Sequence, residues 1–363
     1  MENQYYQKRV VQFAEIMDKV NIDAFLTLAP SNQRYLTGFT GDECFLLVVA
    51  GEPHLIVDSR FTTQAHEDSP GLDVIEHSSS EGNQWVSIVA SLLAKHHAHW
   101  VGFERERMPF GQLETIQAAT PFATMAPTKD LVEDLRRAKD ATELESIQTA
   151  GHLADAAFRA MLTHFKAGMT ENDVDAELEF QMHKAGALGT AFPTIVGSGP
   201  RGAISHAMPT SRVIQNGEPV VVDFGVQYQG YLSDCTRTIA DGEPSKEIVD
   251  TYARLRVAQQ VGLDMVRAGV SSRAVDTAVR AKLAEDGLGF GHGLGHSVGL
   301  EIHENPRFSP YSDATLVPGY VMTVEPGVYV ANHFGMRIED TVIVREDGCT
   351  PITDLCKDLV VTR

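Results

Sequence analysis

The chain has 363 residues, 43% hydrophobic and 22% charged, which argues against a disordered, collagen-like or coiled-coil protein and suggests two domains. Thirty basic against forty-nine acidic residues leave a formal net charge of -19, a field that disfavours nucleic acid and anionic membrane surfaces as partners. The four cysteines (Cys44, Cys235, Cys349, Cys356) form no CxxC pair, and neither a secretion signal nor a membrane span is legible, so a cytoplasmic protein is expected.

Residues 4–20 place Val10, Phe13, Ile16, Met17 and Val20 at helical spacing. Apolar runs follow at 24–29, 44–50 and 54–57, and Gly51-Glu52-Pro53 between the last two suggests a hairpin. From 60 to 125, helical stretches (84–95, 111–119) alternate with strand-like ones (72–76, 100–103), an α/β layout. A boundary is expected near Met125-Ala126-Pro127-Thr128, before the charged segment 129–138. Thr142-Glu143-Leu144-Glu145 fits a capping box, and Leu144, Ile147, Ala154, Phe158, Met161 and Leu162 give the helix it opens a buried face. Further helices are expected from Thr170, Ser245 and Ser272, reaching glycine at Gly186, Gly269 and Gly287. The expected organisation is thus a first domain over 1–125, a linker over 126–139 and a second domain over 140–363.

The chemistry concentrates in three segments of the second domain. Residues 218–240 read as two β-rich runs joined at Tyr228-Gln229-Gly230, and Asp223 and Asp234 are equidistant from the Tyr228–Gln229 midpoint. In a regular hairpin they would face one another directly, with Cβ atoms about 4.5–5.5 Å apart. Like charges so placed are destabilising and call for a cation; the plainer alternative is that one Asp points to solvent or pairs with Arg237. Residues 321–344 form a second candidate hairpin, in which Glu325 and Glu339 are centred on Asn332 and Pro326-Gly327 breaks the first strand. The third segment, 289–306, holds His292, His296 and His303. His292 and His296 have the i,i+4 spacing of a helical zinc site, but five glycines between 289 and 299 make a helix costly. An extended strand or loop is expected instead, with His296 as the single nitrogen ligand. His206, in Ser205-His-Ala-Met-Pro-Thr-Ser-Arg212, reads without context as a loop histidine. Four carboxylates and one imidazole suit two divalent ions, Mn²⁺ first, with Co²⁺, Zn²⁺ and Fe²⁺ as alternatives. Two such ions about 3.5–4 Å apart can hold a bridging hydroxide and polarise a carbonyl, which is hydrolase chemistry.

The motifs VVVDFG (220–225), GYLSDCTRT (230–238), HGLGHSVGLEIHENP (292–306), TVEPGVYV (323–330) and GMRIED (335–340) resemble, in order and spacing, those of the pita-bread metallopeptidases. That family includes prolidase, aminopeptidase P, methionine aminopeptidase and the metal-free creatinase. Asn32-Gln-Arg-Tyr-Leu-Thr-Gly-Phe-Thr-Gly41 and Asp58-Ser-Arg-Phe61 are similar to the creatinase-type amino domain, which favours the Xaa-Pro branch. The resemblance implies an α/β N-terminal domain followed by an α+β pita-bread catalytic domain, with an antiparallel curved sheet and flanking helices.

It further implies that Asp223 chelates one ion, that Asp234 and Glu339 bridge both, and that His296 and Glu325 complete the second. Glu325 would also shuttle a proton, His206 and His303 would contact substrate, His292 would line the pocket, and Arg337 would orient substrate or metal carboxylates. The expected activity is hydrolysis of Xaa-Pro bonds by a metal-bridging hydroxide, in a dipeptidase or, alternatively, an aminopeptidase P acting on longer Xaa-Pro-Yaa peptides. Small peptides with proline second are the expected partners, and a homodimer is expected from the relatives. A creatinase-like hydrolase or a non-catalytic binding protein on the same scaffold would be expected to have lost several of the five ligands.

Overall fold

In the computed structural model, which describes residues 2–78 and 84–362, the chain divides into two compact units, Met1–Arg136 and Arg137–Arg363. The first unit runs α1 (Glu2–Lys19), β1 (Ala24–Thr27), α2 (Pro30–Thr37), β2 (Cys44–Val49), β3 (Glu52–Asp58), α3 (Thr62–Asp68), β4 (Asp73–His77), α4 (Gln84–Lys95), β5 (Trp100–Glu104), α5 (Phe110–Ala119), β6 (Thr124–Thr128) and α6 (Leu131–Arg136). Its six strands form one mixed sheet in the order β4-β3-β2-β1-β5-β6. The expected hairpin is β2–β3, turning through Ala50 and Gly51, both at positive φ (53° and 78°), as a two-residue loop demands. Trp85, Val86, Val89, Leu92 and Leu93 of α4 recur at helical spacing and are buried, and the Trp85 ring stacks on Phe45 at 3.8 Å.

The expected linker over 126–139 is not a linker. Residues 124–128 pair in parallel with β5, and α6 closes the same unit, its Arg136 donating to Asn32 Oδ1 at 2.6 Å and Ser31 Oγ at 3.0 Å. Pro127 had suggested a break, but β6 is an edge strand with one side outside the ladder, where proline is tolerated.

The second unit opens with a helix pair, α7 (Ala141–Leu162) and α8 (Glu171–Ala185), and later repeats the arrangement with α9 (Lys246–Met265) and α10 (Ser272–Ala284). The α7 cap lies two residues earlier than expected. Asp140 Oδ1 accepts from the Thr142 and Glu143 amides while Glu143 returns a bond to the Asp140 amide, so the box is Asp140–Glu143. Thr170 and Gly186 cap α8 as expected, the glycine at φ 104°.

Its strands are β7 (Gly189–Thr190), β8 (Ile195–Ser198), β9 (Val220–Phe224), β10 (Val226–Tyr228), β11 (Tyr231–Leu232), β12 (Cys235–Asp241), β13 (Gly295–Ser297), β14 (Glu304–Phe308), β15 (Val321–Val324), β16 (Gly327–Val330), β17 (Phe334–Arg337), β18 (Asp340–Val344), β19 (Cys349–Pro351) and β20 (Val360–Thr362). The two larger sheets have the orders β20-β12-β9-β8 and β14-β13-β15-β18-β19, antiparallel except for the β12–β20 pair. Helices α7 and α8 bury Phe158, Met161, Val174 and Leu178 in one core with Val220, Val222 and Phe224 of the first sheet. Helices α9 and α10 bury Leu255, Val275 and Val279 in another with Met322, Val324 and Val342 of the second. Helices on sheets within one unit are the α+β arrangement the resemblance implies.

Candidate metal centre and active site

The first hairpin does not have the expected register. Asp223 lies opposite Thr236 and Phe224 opposite Cys235, which puts Asp234 across from Gly225. Gln229 and Gly230, at φ 45° and 77°, form a two-residue turn. The hairpin is therefore centred between them, one residue later than the composition of the turn suggested, and every cross-strand partner shifts by two. Asp223 and Asp234 are diagonal neighbours on one face, a relation that spans about 7–8 Å between Cα atoms and remains within side-chain reach.

The second hairpin has the expected register. Val324 pairs with Asp340 and Gly327 with Arg337, centred on Asn332 at φ 60°. Glu325 and Glu339 fall in the gap between the β15–β18 and β16–β17 ladders. Their amides bond elsewhere: Glu325 N donates to Leu294 O at 2.9 Å, and Glu339 N donates to Thr236 O at 3.1 Å. The gap thus ties the second hairpin both to the first and to the histidine segment.

That segment is extended around His296, as its glycines suggested. A Cβ on Gly295 would lie 2.0 Å from Thr323 O, so only glycine lets β13 approach β15 this closely. The His296 amide donates to Thr323 Oγ1 at 2.9 Å, and Nδ1 lies 3.1 Å from Ser297 O. A proton on Nδ1 leaves the Nε2 lone pair facing Glu325 Oε1 at 3.4 Å and Asp234 Oδ2 at 3.5 Å. Among the described residues, Asp234, His296 and Glu339 offer ligand atoms that all lie within 4.8 Å of one another.

The electrostatics of these groups suit a bound cation. Burial first, then the neighbouring carboxylates, holds Asp234 and Glu339 well above the usual carboxylate range, and burial raises Glu325 to about 8. Burial pushes His296 down to about 3, leaving a neutral imidazole able to ligate. Asp223 Oδ1 and Glu339 Oε1 are buried without a hydrogen-bond partner, a state that is costly unless something positive faces them. Four oxygen donors and one nitrogen donor fit hard or borderline divalent ions.

All the expected site residues line one cavity of about 560 Å³: the five ligand candidates together with His206, His292, His303 and Arg337. Arg337 is buried and donates to Asp223 Oδ2 at 2.6 Å, Tyr329 Oη at 2.9 Å and Ser205 O at 3.0 Å. It is thereby fully engaged in holding Asp223 and the His206 loop. His292 Nε2 is 3.0 Å from Tyr329 Oη. The His303 ring stands edge-on to His296 with centroids 4.5 Å apart, and burial followed by the Arg307 charge lowers its pKa. Sequence reasoning missed Tyr329 and Arg307. The Arg307 guanidinium lines the cavity and, among the described residues, makes no hydrogen bond or ion pair. Its signal was the strand pairing of β13 with β14, which sets Arg307 opposite His296 and which the intervening loop concealed.

Residues 145–346 match metallopeptidase family M24, and residues 9–138 match the Creatinase/Prolidase N-terminal domain. Two solved structures are similar over nearly their whole length. An Xaa-Pro dipeptidase from Bacillus anthracis has a TM-score of 0.94 at 35% identity, covering 98% of this chain and 99% of that one. An X-Pro aminopeptidase from Thermotoga maritima has a TM-score of 0.89 at 34% identity, covering 96% and 99%. An Xaa-Pro dipeptidase of Pyrococcus horikoshii is 30% identical over 97% of this chain and 99% of its own length. This chain belongs to metallopeptidase family M24, with a creatinase/prolidase-type domain preceding its pita-bread catalytic unit.

Proposed function

We propose that this metallopeptidase is an Xaa-Pro dipeptidase working with two divalent ions, Mn²⁺ foremost. Asp223 would hold one ion, Asp234 and Glu339 would bridge the pair, and His296 with Glu325 would complete the second. The observation that carries the proposal is the convergence of these five side chains on one cavity with two buried carboxylate oxygens unpartnered. When bound, the ions supply a water acidic enough to act as nucleophile near neutral pH and polarise the scissile carbonyl.

The chain's own residues then have distinct tasks. Glu325 accepts a proton from the attacking water and delivers it to the leaving proline nitrogen, which bore no hydrogen in the peptide. His303, whose pKa is lowered by burial and then by the Arg307 charge, favours the neutral ring and offers an N–H to the developing oxyanion together with His206. His292 forms the wall beside them, fixed by Tyr329. Arg337 keeps Asp223 in one orientation. The unpaired Arg307 suits a carboxylate, and in a dipeptide the proline carboxylate follows directly on the scissile bond. That favours dipeptides over longer substrates. The likeness to the Thermotoga maritima aminopeptidase supports the second reading, an aminopeptidase P.

The test combines metal analysis of purified protein with rates on Ala-Pro, N-acetyl-Ala-Pro, Ala-Ala and Ala-Pro-Ala, each with added Mn²⁺. Stoichiometric divalent metal and selective cleavage of Ala-Pro are expected. Equal rates for Ala-Pro and Ala-Ala, or for the free and acetylated peptides, would sink the Xaa-Pro reading; faster cleavage of Ala-Pro-Ala would favour aminopeptidase P. A cytoplasmic homodimer completes the proposal. The four free cysteines are in keeping with a reducing compartment, and light scattering tests the dimer.

A further inference from the structure

One buried cation has no part in the chemistry above. The Lys139 ammonium is 1% exposed and donates to Ser297 Oγ at 3.0 Å, Glu304 Oε2 at 3.1 Å and Arg137 O at 3.3 Å. Its backbone is pinned as well: Lys139 N donates to Gly319 O, and Gly319, at φ 88°, would bring a Cβ within 3.0 Å of Lys139 O. The two side-chain partners are the immediate neighbours of the two histidines that meet edge-on in the cavity. Ser297 follows His296 and Glu304 follows His303, and β13 bulges against β14 between 296 and 297. Residues 298–303 form the loop between them, and Glu304 closes it. Its Oε1 accepts from the Glu301 amide at 3.1 Å, and a Cβ on Gly299 would lie 2.7 Å from both carboxylate oxygens. Removing a countercharge from a carboxylate this buried is costly, and Lys139 supplies one.

We infer that Lys139 is a positioning residue which, by anchoring Glu304, fixes the His303 imidazole against His296. The inference rests on the reading of His303 as a substrate-contacting group, and deepens it. Lys139 touches none of the proposed ligand atoms; by holding Glu304 it sets where the preceding residue, His303, and its ring can stand. A misplacement of about 1 Å in such a group costs about 10²-fold in rate.

The test uses the full chain with Lys139→Met and Glu304→Gln, each alone and each combined with His303→Ala. Glu304→Gln keeps the side chain's size and an acceptor for the Glu301 amide, so it carries the test if Lys139→Met does not fold. In metal-stripped protein labelled at histidine, the His303 ring resonance, assigned by its loss in His303→Ala, should shift or broaden in both variants. In loaded protein, kcat/KM should fall at least about tenfold in the wild-type background and less than about twofold in the His303→Ala background, with metal content unchanged. An unmoved His303 resonance, or an equal loss in both backgrounds, overturns the inference. Failure of wild-type protein to cleave Xaa-Pro peptides would overturn the substrate reading instead, and the resonance arm would still decide the role of Lys139.

Discussion

Stripping divalent ions should destabilise the protein, and the penalty should grow as pH rises from about 5 to 8. In the ion-free fold the Glu325 carboxyl is raised by burial from 4.5 to about 8. An acid whose pKa is raised by folding contributes stability that is fully present below its unfolded pKa and is lost as pH climbs through the folded one. Each unit of difference is worth about 1.4 kcal/mol, so the shift from 4.5 to about 8 costs the ion-free fold on the order of 5 kcal/mol at pH 8. Asp234 and Glu339, raised by burial and by neighbouring carboxylates, act with the same sign. Bound cations reverse that sign, because they favour the ionised carboxylates. Asp155 and Glu104 are also raised by burial, each to about 7, but they lie outside the proposed ligand set and slope the curves of both forms alike. The quantity to measure is therefore the gap between Mn²⁺-loaded and chelator-treated protein in urea denaturation at pH 5, 6, 7 and 8. The gap should widen by several kcal/mol across that range. A gap that stays constant or narrows would refute the reasoning.

Asp234→Asn and Glu339→Gln should each reduce hydrolysis to below about 1% of wild type, because each removes a charge that the proposal has both ions share. Retained turnover with metal bound would show the bridging assignment to be wrong. His303→Ala should lower kcat by about 10²-fold while metal content, read by plasma emission, stays near wild type; loss of metal would make His303 a ligand. Arg307→Met should raise the KM for Ala-Pro by about 10–100-fold, as expected for losing one charge-assisted hydrogen bond, and leave the KM for Ala-Pro-Ala little changed. Equal effects on both peptides would remove Arg307 from the discrimination.

The starts of α8 and α9 were legible because the Thr170 and Ser245 hydroxyls cap within one turn, whereas Val266, before the expected Gly269, ends α9, and Ser271 opens α10 without a side-chain cap. The α7 cap was misplaced by two residues because Asp140 and Thr142 each have Glu three positions on, and only the backbone decides between them. The β6 strand was hidden by its proline, which an edge position accommodates. That the four carboxylates and His296 gather at one cavity was legible from acids and a histidine amid apolar strands and glycines, whereas His206 and Arg337 entered only through the family resemblance. Their spacing across the first hairpin was not. Tyr228-Gln229-Gly230 permits more than one turn, and shifting the centre by one residue moves each partner by two. The second hairpin could be read because Asn332 tolerates positive φ at the middle of a three-residue loop. Arg307 and Lys139 carried no local signal, for their meaning lies in residues reached only through strand pairing and tertiary contact.

Three of the four carboxylates share a placement that explains how strands can carry them at all. Asp234 immediately precedes β12, Glu325 immediately follows β15, and Glu339 immediately precedes β18; only Asp223 sits within a ladder. A carboxylate inside a regular ladder is fixed by the pleat and meets whatever lies across from it. One residue beyond the ladder, the backbone can take a different partner: the Glu339 amide reaches across to Thr236 of the other large sheet, and the Glu325 amide bonds to Leu294 beside β13. The interruptions therefore leave these two amides paired while freeing both side chains to converge from opposite strands. Pro326, which has no amide to satisfy, stands at one of these breaks, and a Cβ at the following glycine would lie 2.5 Å from Tyr329 Oη. Gly327 thus keeps the tyrosine hydroxyl where it reaches both Arg337 and His292. The Glu-Pro-Gly sequence is in this sense a ladder break that needs no N–H partner at Pro326, and its carboxylate and its glycine both serve the same cavity.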